Sequence, residues 1–123
     1  MNKVILVTGA TGYVGGRLIS RLLNMGYKIR VLARNPSRLE NKRWYNDIEI
    51  HKGDVLNKKS LVGLFKNVEK AYYLIHSMSN FNDFAKTDIK AAKIFLQVAQ
   101  NEKLKQIIYL GGLADNSTNL SKH

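Results

Sequence analysis

Three glycines spaced as Gly9-x-x-Gly12-x-x-Gly15 follow the apolar run Val4–Val7 and open an amphipathic stretch. Between a strand and a helix this spacing has a physical use. Gly9 permits the tight turn, Gly12 lets backbone approach a pyrophosphate with no Cβ in the way, and Gly15 lets the helix lie close to the strand. The free N–H groups and positive dipole end of the helix then face the phosphates. In a turn that binds nothing, the same glycines would cost backbone entropy without return. A nucleoside-triphosphate P-loop ends in Gly-Lys-Ser/Thr; this loop ends in Gly15-Gly16-Arg17.

The end of the second apolar run bears on which dinucleotide fits. NAD sites place an acid there for the ribose 2′-hydroxyl. Here the stretch is Ala33-Arg34-Asn35-Pro36-Ser37-Arg38, with no acid before Glu40. Arg34 offers a planar fork suited to a 2′-phosphate, and Arg38 follows one turn later. The pair reads as a clamp for NADP(H) in preference to NAD; two solvated arginines are the alternative. Asp54, after the third run, can accept from an adenine amino group or serve as a turn or cap aspartate. His76, after the fourth, can contact the nicotinamide side or be an ordinary polar residue at a strand end.

The elements that must position these residues alternate. Lys3–Val7, Lys28–Ala33, Asp47–His51, Lys70–Ile75 and Lys105–Leu110 read as strands, mostly unbroken apolar runs as in a sheet covered on both faces. Helices are expected at Tyr13–Met25, from Pro36 to about Asn41, at Asn57–Lys66 with Leu61, Leu64 and Phe65 on one side, and at Asp83–Asn101. The last carries Phe84, Ala91, Ala92, Phe95, Val98 and Ala99 on one face. Such alternation implies α/β architecture: a doubly wound parallel sheet, five strands in order 3-2-1-4-5, between two helical layers.

Composition narrows the partners. With no cysteine and three dispersed histidines, neither disulfides nor a metal site is expected. No secretory signal or membrane-length apolar stretch is evident, so the reading is a cytoplasmic protein with no membrane partner. The formal charge of +11 raises nucleic acid as a partner. Against it, the basic residues fall singly or in pairs, and the aromatic pair Trp44-Tyr45 reads as a loop packed on helices. The long helix at 83–101 can supply a homodimer face or simply cover the sheet.

Thr8–Gly15, Ala33-Arg34, Gly53-Asp54 and Ile107–Leu110 resemble the short-chain dehydrogenase/reductase superfamily. The likeness is to its extended and atypical branches, the epimerase-like and NmrA-like proteins. It implies Gly9, Thr11, Gly12, Tyr13, Val14 and Gly15 at the pyrophosphate, Arg34 and Arg38 at the 2′-phosphate, and Asp54 with Val55 at the adenine. Ile75, His76 and Ser77 would line the nicotinamide ribose. Active members carry a Tyr-x-x-x-Lys pair whose lysine tunes the tyrosine for proton exchange. None of the six tyrosines here has lysine four residues on. The expectation is an incomplete cofactor-binding domain over residues 1–114, with a polar tail, 115–123, leading toward a missing C-terminal part. The function implied is an NADP(H)-dependent oxidoreductase or epimerase-like protein acting on an unidentified small molecule. A non-catalytic NmrA-like sensor of NADP is the alternative, because the proton-transfer pair is missing from this stretch.

Overall fold

The computed structural model describes residues 3–10, 12–74, 82–102, 104 and 106–109. Five strands, β1 (Val4–Thr8), β2 (Lys28–Ala33), β3 (Glu49–Lys52), β4 (Val68–Tyr73) and β5 (Gln106–Tyr109), form one sheet in order β3-β2-β1-β4-β5. Every pairing is parallel. Two α-helices, α1 (Tyr13–Asn24) and α2 (Asn82–Gln100), flank it. The expected architecture and strand order are therefore present, with strand ends displaced by one or two residues.

Alternation along the strands divides the core in two. Ile5, Val7, Ile29 and Val31 face Ile19 and Leu22 of α1, together with Leu39 and Trp44. Val4, Leu6 and Leu32 face Leu61, Leu64 and Phe65 and the α2 residues Ala91, Phe95 and Ala99. Ala92 and Val98 pack at the margin of this second cluster, and the side chain of Phe84 lies outside the described ones. The buried Trp44 anchors the segment between β2 and β3, as the sequence suggests. A register shift between Val4 and Ile5 on β4 passes over Glu69 and keeps Ala71 and Tyr73 on the α2 face.

Two helices expected from the sequence take other forms. After Pro36 the chain makes a four-residue 3-10 helix, Pro36–Leu39, which drives the fully buried Leu39 into the α1-side core. The helix expected over 57–66 stops at Lys58–Leu61, also 3-10. Val62 turns extended, Gly63 takes φ 85° and Asn67 φ 63°. These dihedrals leave the right-handed helical region, so no regular helix can continue through them. The turns still bury Leu61, Leu64 and Phe65, the residues whose spacing suggested a helix.

That segment is held by a residue the apolar pattern conceals. Arg30, in the middle of β2, is 7% exposed. Its Nη1 donates to the Leu64 carbonyl (2.6 Å) and the Lys66 carbonyl (2.9 Å), and its Nε to Glu49 Oε1 (3.0 Å). A buried guanidinium is tolerated because its donors find acceptors. Among the described residues no helix is long and apolar enough to cross a membrane, and no group of His, Cys, Asp or Glu could hold a metal ion.

Candidate functional site

The strand order reverses at β1, whose neighbours are β2 on one side and β4 on the other. Ligands of open α/β sheets bind outside the carboxyl ends of the strands at such a switch point. Here the β1 and β4 ends are tied together. Thr8, fully buried, donates through Oγ1 to the Tyr72 carbonyl (2.9 Å), and the Leu74 amide donates to the Thr8 carbonyl (2.9 Å).

The glycine loop leaves β1 at this point, and its glycines do different things. Gly9 has φ 99°, and a Cβ there would stand 2.9 Å from the Leu74 Cβ. It is glycine for conformation and for contact with the end of β4. Its carbonyl accepts from the Gly12 amide (3.2 Å). A Cβ on Gly15 would fall on that same carbonyl oxygen and 3.0 Å from the Ala10 Cα. Gly15 is thus what lets α1 start directly above the turn. Gly12 differs from both: its φ of −81° suits any residue, and the nearest atom to a Cβ would be the Gly9 oxygen at 3.6 Å, an ordinary contact. Gly12 is exposed, so its smoothness meets no packing need of the described residues.

The start of α1 also lacks the side chains that usually satisfy and neutralise a helix N-terminus. Gly12 is the N-cap, without a side chain to cap the free N–H groups, and the first turn holds no acid. Tyr13 and Val14 are 76% and 56% exposed, so the chain's own core does not claim them. Their positions bring their amides, with that of Gly15, to the mouth of the loop. Thr11 lies outside the described residues.

The loops after β2 and β3 stand together at the same edge. The Gly53 amide donates to the Ala33 carbonyl (3.1 Å), which ties the segment carrying Asp54 to the start of the one carrying Arg34. Arg34 and Arg38 are both exposed, and among the described residues neither forms an ion pair. Arg38 sits in the 3-10 helix locked by Leu39. Asp54 is half-buried and its Oδ1 accepts from the Leu56 amide (2.9 Å), so the turn role is present; its other oxygen carries no bond among those described. Val55 is buried in the α2-side core.

Ser60, which no sequence motif singles out, organises this loop. Its hydroxyl accepts from the Asp54 amide (2.8 Å) and donates to the Asn57 carbonyl (2.7 Å). Its carbonyl lies 2.8 Å from His51 Nε2, and since a carbonyl only accepts, that nitrogen carries the proton. A Cβ on Gly53 would stand 2.8 Å from the same carbonyl. The only sequence signal was a serine three residues beyond Asn57 in a short turn-rich segment. Ile75, His76 and Ser77 lie outside the described residues.

The strand order and the switch-point loop together define a Rossmann-type architecture. More narrowly, the chain belongs to the NmrA-like family, whose model matches residues 1–122. Cinnamoyl-CoA reductase 2 of Arabidopsis thaliana is 24% identical over 121 residues, covering 90% of this chain and 36% of that protein. Among solved structures, yeast methylglyoxal/isovaleraldehyde reductase complexed with NADPH superposes with a TM-score of 0.73 at 15% identity, over 86% of this chain and 36% of that one. A short-chain dehydrogenase/reductase superfamily protein from Agrobacterium tumefaciens with bound NAD superposes at 0.70 and 20% identity, over 86% and 31%. The chain therefore spans about a third of the relatives it matches, and at these identities the structural likeness establishes the fold.

Proposed function

We propose that this chain is the cofactor-binding unit of a reductase, spanning residues 1–114, and that it binds a nicotinamide dinucleotide, NADP(H) in preference to NAD. The observation that carries the reading is Gly12: exposed, with ordinary backbone angles and room for a side chain, at the head of an uncapped helix. A missing side chain that the protein itself does not require serves something that approaches from outside.

In this reading the amides of Tyr13, Val14 and Gly15 hold the pyrophosphate, and Gly9 and Gly15 hold the loop in the shape that presents them. Arg34 and Arg38 bind the 2′-phosphate through planar forks. Asp54, with Val55 behind it, takes the adenine through the carboxylate oxygen that the turn leaves available. Ile75, His76 and Ser77 line the nicotinamide ribose by their place after β4. The cofactor supplies hydride chemistry, and the chain supplies binding and orientation. No Tyr-x-x-x-Lys pair occurs in these 123 residues, so proton transfer to a substrate is assigned to none of them. The relatives are named as reductases, which favours an enzyme over a non-catalytic sensor of NADP.

Calorimetric titration with NADPH and with NADH, on the wild type and on Arg34→Asp, tests the reading. NADPH binds the wild type more tightly, by about tenfold or more, as expected for charge-assisted contacts to one phosphate. Arg34→Asp removes or reverses that preference. Equal affinities in the wild type, unchanged in the variant, would contradict the 2′-phosphate clamp. No binding of either nucleotide would contradict the cofactor site itself.

A further inference from the structure

The fold gathers what the sequence disperses. All six arginines lie between Arg17 and Arg43, and from Tyr13 to Asn46 eight Lys or Arg face a single acid, Glu40. From Asp54 to Glu102 the cations are all lysines, seven against five acids. The arginine-bearing segments, α1 and residues 36–47, are anchored in the same core cluster through Ile19, Leu22, Leu39 and Trp44. They therefore cover one face of the sheet, and α2 with residues 58–66 covers the other. Arg30 is consumed by Glu49 and two carbonyls; among the described residues no other arginine forms an ion pair.

The outer face of α1 carries a shallow groove of about 380 Å³ lined by Gly16, Arg17, Ser20, Arg21 and Asn24. Gly16 opens its floor, since nothing lies within 4 Å of where its Cβ would be. Every side chain along it can donate a hydrogen bond and none is an acid. Arg17 and Arg21, four apart, repel each other, while Arg21, in the last turn, meets the negative end of the helix dipole. At the mouth, Arg17 Nη1 donates to the Tyr13 hydroxyl (2.6 Å), while the Tyr13 side chain stays largely exposed.

We propose that this face of α1 binds single-stranded nucleic acid, with Arg17 and Arg21 on its phosphates and the Tyr13 ring against a base. Arginine forks match phosphate oxygens, and an exposed aromatic beside them stacks bases without regard to sequence. The groove is polar along its length, with no apolar side chain to bury among acyl chains, which disfavours a membrane surface. The groove lining contains none of the residues assigned to the dinucleotide; Tyr13 alone is shared, with its amide toward the pyrophosphate and its ring toward a base.

Fluorescence anisotropy of a labelled oligouridylate of about 20 nucleotides at about 0.15 M salt tests it. Four samples are compared: the wild type, the double variant Arg17→Gln/Arg21→Gln, the double variant Lys58→Gln/Lys59→Gln with the same change of charge on the other layer, and the wild type with saturating NADPH. The α1 double variant, whose thermal unfolding should match the wild type, is expected to bind about tenfold or more weakly. The lysine pair should change affinity by less than about twofold, and NADPH should leave binding intact. Equal loss in both double variants would reduce the effect to overall charge and overturn the proposal. So would displacement by NADPH, absence of binding by the wild type, or stronger retention on vesicles of anionic phospholipid.

Discussion

The Cα of Gly15 lies so close to the Gly9 carbonyl oxygen that a single methyl group on Gly15 would fall on it. That oxygen also accepts the Gly12 amide. The start of α1, the turn below it and the end of β1 are therefore fixed against one another at one atom. Through Gly9 the contact extends to Leu74 at the end of β4, across the switch point of the sheet.

Gly15→Ala must push α1 away from the turn. The expected cost is about 1–3 kcal/mol, typical of overpacking at a tight site, together with loss of dinucleotide affinity. Gly16→Ala, one residue on, meets no atom and removes a helix-interior glycine, so it should stabilise by about 0.5–1 kcal/mol. Urea unfolding of the two variants reads the contrast directly; equal effects would mean that the Gly15–Gly9 approach does not organise the loop.

Arg30→Met keeps the volume in β2 but leaves the Leu64 and Lys66 carbonyls without their donor. A loss of about 2–4 kcal/mol is expected: about 1–3 for the buried Leu64 carbonyl and less for the part-buried Lys66 carbonyl. Glu49→Gln removes only the charge of a partner whose side chain is 60% exposed and leaves an oxygen to accept from Nε; exposed ion pairs are worth about 0–1 kcal/mol. Unfolding midpoints that fall in the opposite order would show that the ion pair, rather than the carbonyl contacts, holds residues 62–67.

Much of this was legible in the sequence, for identifiable reasons. The central strands β1 and β2 are largely apolar runs buried on both faces, and alternation of strands with longer amphipathic stretches allows few topologies. The glycine loop was legible because its spacing sits between such a run and such a stretch. The segment 57–66 misled because Leu61, Leu64 and Phe65 have helical spacing, while Gly63 and Asn67 adopt positive φ that spacing does not encode. Arg30 was hidden because a strand buried on both faces has no outer side to mark a polar residue as odd. Ser60 was hidden because its role depends on the separate fold of three backbone groups around it. The segregation of arginines appears only once α1 and residues 36–47 are seen to share one face.

The measurement that bears most directly on the account is a paired one on Gly12→Ala: thermal or urea unfolding beside NADPH titration. The fold has room for the methyl group at ordinary backbone angles, and the N-cap change costs at most about 1 kcal/mol. The variant should fold close to wild-type stability and lose NADPH affinity by about tenfold or more, because the methyl group stands where the pyrophosphate must approach. A variant that folds normally and binds NADPH as tightly as the wild type would contradict it.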